Sequence, residues 1–333
     1  MCGITGFFDF EKKSSKHDLT IMTDRLSHRG PSSGYSFYEN ENLNIGLGHR
    51  RLSILDLSKY GYQPMFFEHL EIVFNGEVYN FKEIRAELQK LNYYFNSNSD
   101  TEVILKAYHK WGVKSVDRFI GMFAIGIYDK NENKFILIRD RAGVKPCYYY
   151  FADRLFMFSS ELKSFHENKK FKKIINKNAL ALYMQYGYIP EPYSIFDNTY
   201  KLKAGHYLEF DLKTQKINEY KYWDVLDFYN KPKLRISENQ SINELDRLFK
   251  SAFEYRMISD VPVGIFLSGG YDSAVVAAIL QSNRSEKLKT FTIGFKEKKY
   301  DEISFARQTA MYLGTDHSEY YCTQQDALDI MQI

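Results

Sequence analysis

Met1-Cys2-Gly3-Ile4-Thr5-Gly6-Phe7-Phe8-Asp9-Phe10 opens the chain. Residues 4–10 are an apolar run of strand length. The cysteine behind the initiator is small, so removal of Met1 is expected, which would leave Cys2 as the first residue. A terminal cysteine carries a thiol and a free α-amine together. The amine, with a reference pKa of about 7.7–8.0, can act as a base near neutrality. The thiol needs only proton removal to become a strong nucleophile. Taken alone, a cysteine at position 2 is more often a chance residue than a catalyst.

Outward from that strand, runs at 52–57, 71–74, 122–128, 135–139, 148–151 and 155–158 predict further short strands. Residues 130–133 and the pair Ala152-Asp153 read as hairpin turns. Two helices interrupt, one marked by Phe81, Ile84, Leu88 and Leu91, the other by Ile104, Ala107, Tyr108 and Trp111. Ser99-x-x-Glu102 reads as a capping box opening the second. After about residue 235 the pattern changes. Ile242, Leu245, Phe249 and Ala252 mark an amphipathic helix. A strand at 263–267, a helix at 273–280 and a strand at 290–295 follow. A helix on Ile303, Ala306, Ala310 and Leu313 and a strand at 319–323 complete the series. Strands alternating with helices predict a parallel α/β sheet. The expected organisation is an α+β domain over 2–210, a polar connector over 211–235 and an α/β domain over 236–333. Three strands ending in the largely apolar 329–333 leave that sheet short of covered faces and managed edges, so later elements are expected to be missing.

Composition narrows the function. The 333 residues are 44% apolar, enough for a real core, and 45 basic against 42 acidic residues give a net charge of +3. That balance predicts no pull toward nucleic acid or acidic membranes. No apolar stretch approaches the roughly 20 residues of a membrane span, and no signal peptide is visible. The three cysteines, at 2, 147 and 322, make neither a metal set nor a disulfide framework, so a cytoplasmic location is expected. Cys147, among tyrosines, reads as inert packing.

A set of motifs follows in order: Met-Cys-Gly-Ile-x-Gly at the start, His28-Arg29-Gly30-Pro31, and His49-Arg50-Arg51-Leu52-Ser53-Ile54. Then come Phe74-Asn75-Gly76-Glu77-Val78-Tyr79-Asn80 and Ser99-Asp100-Thr101-Glu102. Jointly they resemble the glutaminase domain of the N-terminal-nucleophile amidotransferases, and above all the glutamine-dependent asparagine synthetases. The resemblance implies an αββα N-terminal-nucleophile hydrolase sandwich. It implies that Cys2 attacks the glutamine side-chain amide and that Asn75 and Gly76 form an oxyanion hole. Arg51 would grip the α-carboxylate and Asp100 the α-ammonium, with Leu52, Ser53, Ile54, Leu55 and Glu77 lining the pocket. Singly, Asn75-Gly76 is a common turn pair, Asp100 a helix-start acid and Arg51 a surface charge. In one departure, Pro31 is followed by Ser32-Ser33-Gly34 where the family usually has an acid, and Gly34 is expected to keep the turn.

Val263-Gly264-Ile265-Phe266-Leu267 runs into Ser268-Gly269-Gly270-Tyr271-Asp272-Ser273 and then a helix. Glycines before a helix amino terminus make an anion cradle, and no lysine follows as in a P-loop. The stretch resembles the SGGxDS pyrophosphate loop of enzymes that split ATP between its α and β phosphates. ATP would then contact Leu267, Ser268, Gly269, Gly270, Asp272, Ser273 and Ile293, with Asp272 holding Mg²⁺. Tyr300-Asp301-Glu302 and Gly314-Thr315-Asp316-His317 also look like family segments, with His317 open to a ligand contact or a structural role and not counted in the site. The family's later SGxGxDE segment does not occur before Ile333, so the chain is expected to be a fragment or to have lost its synthetase half-reaction. The implied reaction makes asparagine from aspartate, ATP and glutamine-derived ammonia carried through the interior. Alternatives are another carboxylate acceptor, such as a sugar acid, or a non-catalytic nucleotide-binding module. A homodimer is compatible with the sequence, which leaves oligomeric state open.

Overall fold

Seven consecutive buried residues, Gly3–Asp9, form an interior sheet strand in the computed structural model, which describes residues 1–295 and 301–331. The chain divides into two units, Met1–Pro232 and Lys233–Ile333. The first unit begins β1 (Gly3–Asp9), α1 (Lys16–Asp24), β2 (Ser32–Glu39), β3 (Asn44–Arg51), β4 (Met65–Phe67) and β5 (Leu70–Val78). It continues α2 (Phe81–Lys90), α3 (Asp100–Trp111), β6 (Gly121–Asp129), β7 (Lys134–Arg139), β8 (Tyr148–Ala152) and β9 (Leu155–Ser159). It closes with α4 (Leu162–Phe165), α5 (Lys177–Tyr186), β10 (Thr199–Lys201), β11 (His206–Asp211), β12 (Lys216–Lys221) and α6 (Val225–Tyr229).

These strands make two six-stranded antiparallel sheets, ordered β10-β8-β9-β1-β3-β2 and β12-β11-β7-β6-β5-β4. Alternation along β1 sends Ile4 and Phe8 toward the second sheet and Phe7 toward the helices. Ile4, Phe8, Val73, Phe135, Phe156, Phe158 and Phe210 fill the space between the sheets. Each such side chain contributes about 1.5–3 kcal/mol on burial. Phe7, Leu19, Met22 and Phe165 join α1 and α4 to the outer face of the first sheet. Helices α2 and α3 cover the second sheet. The result is the expected αββα sandwich.

Local details differ from the sequence reading in instructive ways. Residues 52–57 are a loop, and the strand before them is β3, whose Gly46 and Gly48 weaken its strand signal. A Cβ at Gly46 would sit 2.9 Å from the Phe7 ring, and one at Gly48 would sit 2.1 Å from Thr23 Oγ1, so packing against β1 and α1 requires glycine there. Gly34 keeps no turn. It lies within β2, opposite His49, and its missing Cβ admits the Gln63 carbonyl. Helix α5 escaped the apolar-spacing test because it buries Ala179 alone, and α1 because its buried residues are half polar, with only Leu19 and Met22 apolar. The capping box falls elsewhere: Ser99 caps α3 by accepting from the Glu102 N–H, but the Glu102 carboxylate turns to Asn96, Ser97 and Lys106. Reciprocal boxes form at Ser15/Asp18 and Ser237/Gln240. The β8–β9 turn sits one residue later than expected, with positive φ at Asp153 and Arg154. The stretch 211–235 is not bare connector. It holds edge strand β12, whose polar alternation suits a half-solvated position, and α6.

The second unit contains α7 (Glu238–Arg256), β13 (Gly264–Phe266), α8 (Tyr271–Ser282) and β14 (Lys289–Phe295). After these come α9 (Ile303–Leu313), β15 (Asp316–Cys322) and α10 (Gln324–Met331). Among the described residues the sheet is three-stranded and parallel, ordered β13-β14-β15. Leu267, Ala277, Leu280, Leu288, Ala306 and Ala310 make its core. The apolar face read on α7 is largely open, with Ile242, Leu245 and Leu248 all exposed, and the helix packs through Phe253 and the following Met257 instead. Along β14, Thr290 and Thr292 are buried while Phe291, Ile293 and Phe295 are exposed. Tyr300 lies outside the described residues. Among the described residues no helix is long and apolar enough to cross a membrane.

Candidate active site

Strand β1 begins at Gly3, so Cys2 stands just before the start of an interior strand and is held there by what surrounds it. The Arg29 Nε–H donates to the Cys2 carbonyl at 2.8 Å, and Arg29 Nη1 pairs with Glu161 at 2.6 Å. The next residue, Gly30, has no room for a side chain, since a Cβ would lie 2.4 Å from the Arg51 carbonyl group and 2.8 Å from Leu52 N. The His-Arg-Gly-Pro segment thereby presses the 51–52 backbone against Cys2. The Leu52 N–H donates to Cys2 Sγ at 3.4 Å, and the thiol faces the Leu52 carbonyl at 3.6 Å. Burial pushes the thiol pKa up, and the Leu52 hydrogen bond opposes that shift.

One cleft is lined by Cys2, Arg51, Leu52, Ser53, Ile54 and Leu55 together with Gly76, Glu77 and Asp100. The same cleft takes in Gly61, Gln63, Phe74, Ser99 and Thr101. Asn75, the other residue expected there, is fully buried behind it on β5, opposite Ala124. Its Nδ2 lies 3.5 Å from Ser160 Oγ, and its Oδ1 is buried without a hydrogen-bond partner among the described residues. Asn75-Gly76 is therefore strand, not turn. Gly76 has φ +156, and a Cβ there would meet the Met122 carbonyl oxygen at 2.1 Å. Only glycine carries its N–H through this position.

Arg51 is buried, not a surface charge. Nη1 donates to the Ser58 carbonyl at 2.9 Å and Nη2 to the Leu55 and Asp56 carbonyls, so the guanidinium fastens the 52–58 loop, with the Tyr62 ring beneath it at 5.2 Å. Gly61 makes room, for a Cβ would lie 2.1 Å from Nη2. Asp100 opens α3 fully buried, and its Oδ2 accepts from the Val78 N–H at 2.9 Å. Burial raises its carboxyl well above the usual carboxylate range, against the pull of backbone N–H groups and Arg51. A buried carboxylate of this kind is primed for a cation. His49 plays a structural part. Burial pushes it down to about 3, and its neutral ring contacts the Phe74 carbonyl through Nε2 at 3.0 Å.

In the second unit the loop after β13 lies at the carboxyl end of a parallel strand, where open α/β sheets place ligands. Ser273 Oγ accepts from the Ser268 N–H at 3.0 Å and lies 2.8 Å from Ser268 Oγ. The Gly270 N–H donates to Ser268 Oγ at 3.2 Å, and the Gly269 N–H to a Glu302 carboxylate oxygen at 3.3 Å. Asp272 stands in the first turn of α8. Leu267 does not join this surface. It is 2% exposed in the core, whereas Ile293 is 49% exposed on β14. His317 Nδ1 lies 2.9 Å from Thr290 Oγ1.

The family model for the glutamine amidotransferase domain matches residues 1–223. The chain belongs to that family. Beyond the amidotransferase domain, the asparagine synthase model matches residues 244–333. A Methanocaldococcus jannaschii protein provisionally named glutamine-hydrolysing asparagine synthetase 2 is 43% identical, over 98% of this chain and 66% of its own length. The glutamine-hydrolysing asparagine synthetase 1 of Bacillus subtilis is 34% identical, over 95% of this chain and 49% of its own. The chain thus spans about half to two thirds of the length of these relatives. The fold is shared with the solved glutamine phosphoribosylpyrophosphate amidotransferase of B. subtilis, with a TM-score of 0.50 and 14% identity over 100% of this chain and 70% of that one.

Sequence reading missed several groups of the amidotransferase cleft. Gln63 is one: its Oε1 accepts from the Phe74 N–H at 2.6 Å, and its Nε2 reaches Thr101 Oγ1 at 3.2 Å. Nothing in Tyr60-Gly61-Tyr62-Gln63 announces that role. Arg29 carried a signal, since its motif was read, but its hold on the Cys2 carbonyl shows only in three dimensions. Lys145 is another, buried where Glu77 and Cys2 act on its charge.

Proposed function

We propose that this chain hydrolyses glutamine at Cys2 and supplies the ammonia for ATP-dependent synthesis of asparagine from aspartate. The glutaminase half would lie in the unit Met1–Pro232 and the synthetase half in the unit Lys233–Ile333, acting in the cytoplasm. The observation that carries this reading is the convergence of Cys2, Arg51, Gly76 and Asp100 on one cleft from four separate segments. That set matches a free amino acid with a side-chain amide: a cation for the carboxylate, a buried carboxylate for the ammonium and a nucleophile for the amide carbon.

With Met1 removed, the Cys2 α-amine takes the thiol proton, and Sγ attacks the glutamine Cδ. The N–H of Gly76 and the Asn75 amide receive the growing oxyanion charge. The donor there would be the Asn75 Nδ2, whose contact with Ser160 Oγ is long at 3.5 Å, while the end of the amide unpartnered among the described residues is the acceptor Oδ1. The C–N bond then breaks, the ammonium proton passes to the leaving nitrogen, and ammonia departs. Water cleaves the remaining thioester to glutamate and restores the thiol. Leu52 would hold the sulfur in line through its N–H.

In the second half, the N–H groups of Gly269 and Gly270 and the hydroxyls of Ser268 and Ser273 would cradle ATP phosphates, displacing the Glu302 carboxylate from the Gly269 N–H. Asp272 and Glu302 are hard oxygen donors beside that loop and fit Mg²⁺, which would neutralise phosphate charge. Aspartate, activated at its β-carboxylate, would receive the ammonia.

The test is glutamate release from glutamine by the purified chain. Wild type with Met1 removed is expected to turn over and Cys2→Ala to fall to background. Equal rates for the two would refute the proposal.

A further inference from the structure

We propose a transition-metal site, of the Zn²⁺ class, formed by Glu68, His69 and His109 at the end of the sandwich far from the glutamine cleft. Glu68 and His69 are the turn between β4 and β5, and His109 lies in the last turn of α3. One ligand atom from each residue lies within 4.8 Å of the other two. His109 Nε2 is already 2.9 Å from Glu68 Oε2, and the two imidazole centroids are 5.7 Å apart. Two imidazoles and a carboxylate with a side open to solvent are the donor set of three-ligand zinc sites.

The surroundings are organised around His109. Its Nδ1 lies 2.7 Å from the Tyr93 hydroxyl, and the Phe67 ring packs edge-on at 5.0 Å. These contacts fix the ring and leave Nε2 turned to Glu68. A partner of this kind on the second nitrogen is what metal-bound histidines carry. On binding, Nε2 must present its lone pair, so its proton is lost to solvent or shifts to Nδ1, which then donates to Tyr93. His69 has Asp129 Oδ1 3.8 Å from its Nε2, a carboxylate that also caps the following turn. Lys106, one turn before His109, is neutralised by Glu102 at 2.7 Å. The turn itself is held in shape, with Glu68 at φ +51. Glu68 remains exposed, so its carboxylate has the freedom to close onto an ion.

The site ties together two elements that also build the cleft. His109 is nine positions from Asp100 along α3, about 13 Å of helix rise. Glu68 and His69 precede β5, whose far end carries Gly76 and Glu77. A bound ion would clip the distal ends of β5 and α3 without touching Cys2.

The test uses the full chain, stripped of metal by chelator and titrated with Zn²⁺ by calorimetry and with Co²⁺ by visible absorption. Cys2→Ala removes the cleft thiol as a competing ligand. The expected result is one Zn²⁺ per chain, retained in Cys2→Ala and lost in His109→Ala and His69→Ala. Tyr93→Phe is expected to weaken binding about 10- to 100-fold. At about 100 times Kd, Zn²⁺ should raise the melting temperature by roughly 5–10 °C. Glu68→Gln, on an exposed turn where folding is not at stake, should weaken binding at least as much as Tyr93→Phe. Binding unchanged by Glu68→Gln and His109→Ala, or no Zn²⁺-induced thermal shift in wild type, would overturn the proposal.

Discussion

The backbone N–H of Leu52 meets the sulfur of Cys2 at 3.4 Å, while the thiol faces the carbonyl of the same residue at 3.6 Å. This exchange ties Cys2 to the loop that Arg51 fastens from below, so the proposed nucleophile and the proposed carboxylate grip rest on one segment.

Gly61→Ala tests that coupling. The added Cβ would stand 2.1 Å from Arg51 Nη2, and the guanidinium must shift. Loss of a charge-assisted contact predicts a rise in KM for glutamine of roughly 10- to 100-fold. Steady-state kinetics reads it, and an unchanged KM would remove Arg51 from substrate binding.

Asp100 should give glutamine use an acid limb. Its carboxyl pKa is raised by burial, so it takes up a proton at a higher pH than an ordinary carboxylate, and the neutral form cannot hold an ammonium. The profile of kcat/KM, which reports the free enzyme, should fall as pH drops below neutrality. Asp100→Asn should be low and flat through that range. A wild-type profile that stays level down to the ordinary carboxylate range would contradict the assignment.

His49 should cost stability in acid. Folded, it is held neutral with its pKa near 3; unfolded, it titrates near 6.5. Above pH 6.5 both states are neutral and stability is full. Between about 6.5 and 3 the unfolded chain binds a proton the folded chain refuses, at up to about 1.4 kcal/mol per pH unit. Asp100, with its raised pKa, acts in the opposite sense over part of this window, so the comparison of variants is decisive. His49→Asn should flatten the fall in melting temperature on acidification, and parallel curves for the two proteins would refute it.

Ser273→Ala probes the second unit. It removes the acceptor of the Ser268 N–H and the hydroxyl partner of Ser268. ATP affinity, read by calorimetry, should drop roughly tenfold, since about 1 kcal/mol per lost hydrogen bond is typical. No change would place the phosphates elsewhere.

The sandwich was legible because its strands carry apolar runs and its hairpins polar turns, as in 122–128 and 135–139. Strand β3 was not, because Gly46 and Gly48 serve close packing that sequence patterns do not encode. The same blindness placed a strand on 52–57, whose apolar side chains instead line the cleft wall and its rim. Cys2, Arg51, Gly76 and Asp100 were readable only as an ordered set, each being ordinary alone. Gln63 and Arg29 act through contacts to distant backbone, and Gly61 by leaving room for the Arg51 guanidinium, which no spacing rule reports. The Glu68, His69 and His109 cluster was silent for a similar reason, with forty residues between its halves.

The most direct measurement is labelling with an electrophilic glutamine analogue followed by peptide mapping. One adduct per chain is expected, on an amino-terminal peptide that lacks Met1 and carries the label on Cys2, with protection by glutamine. Active protein that retains Met1, or label on Cys147 or Cys322 with Cys2 untouched, would contradict it.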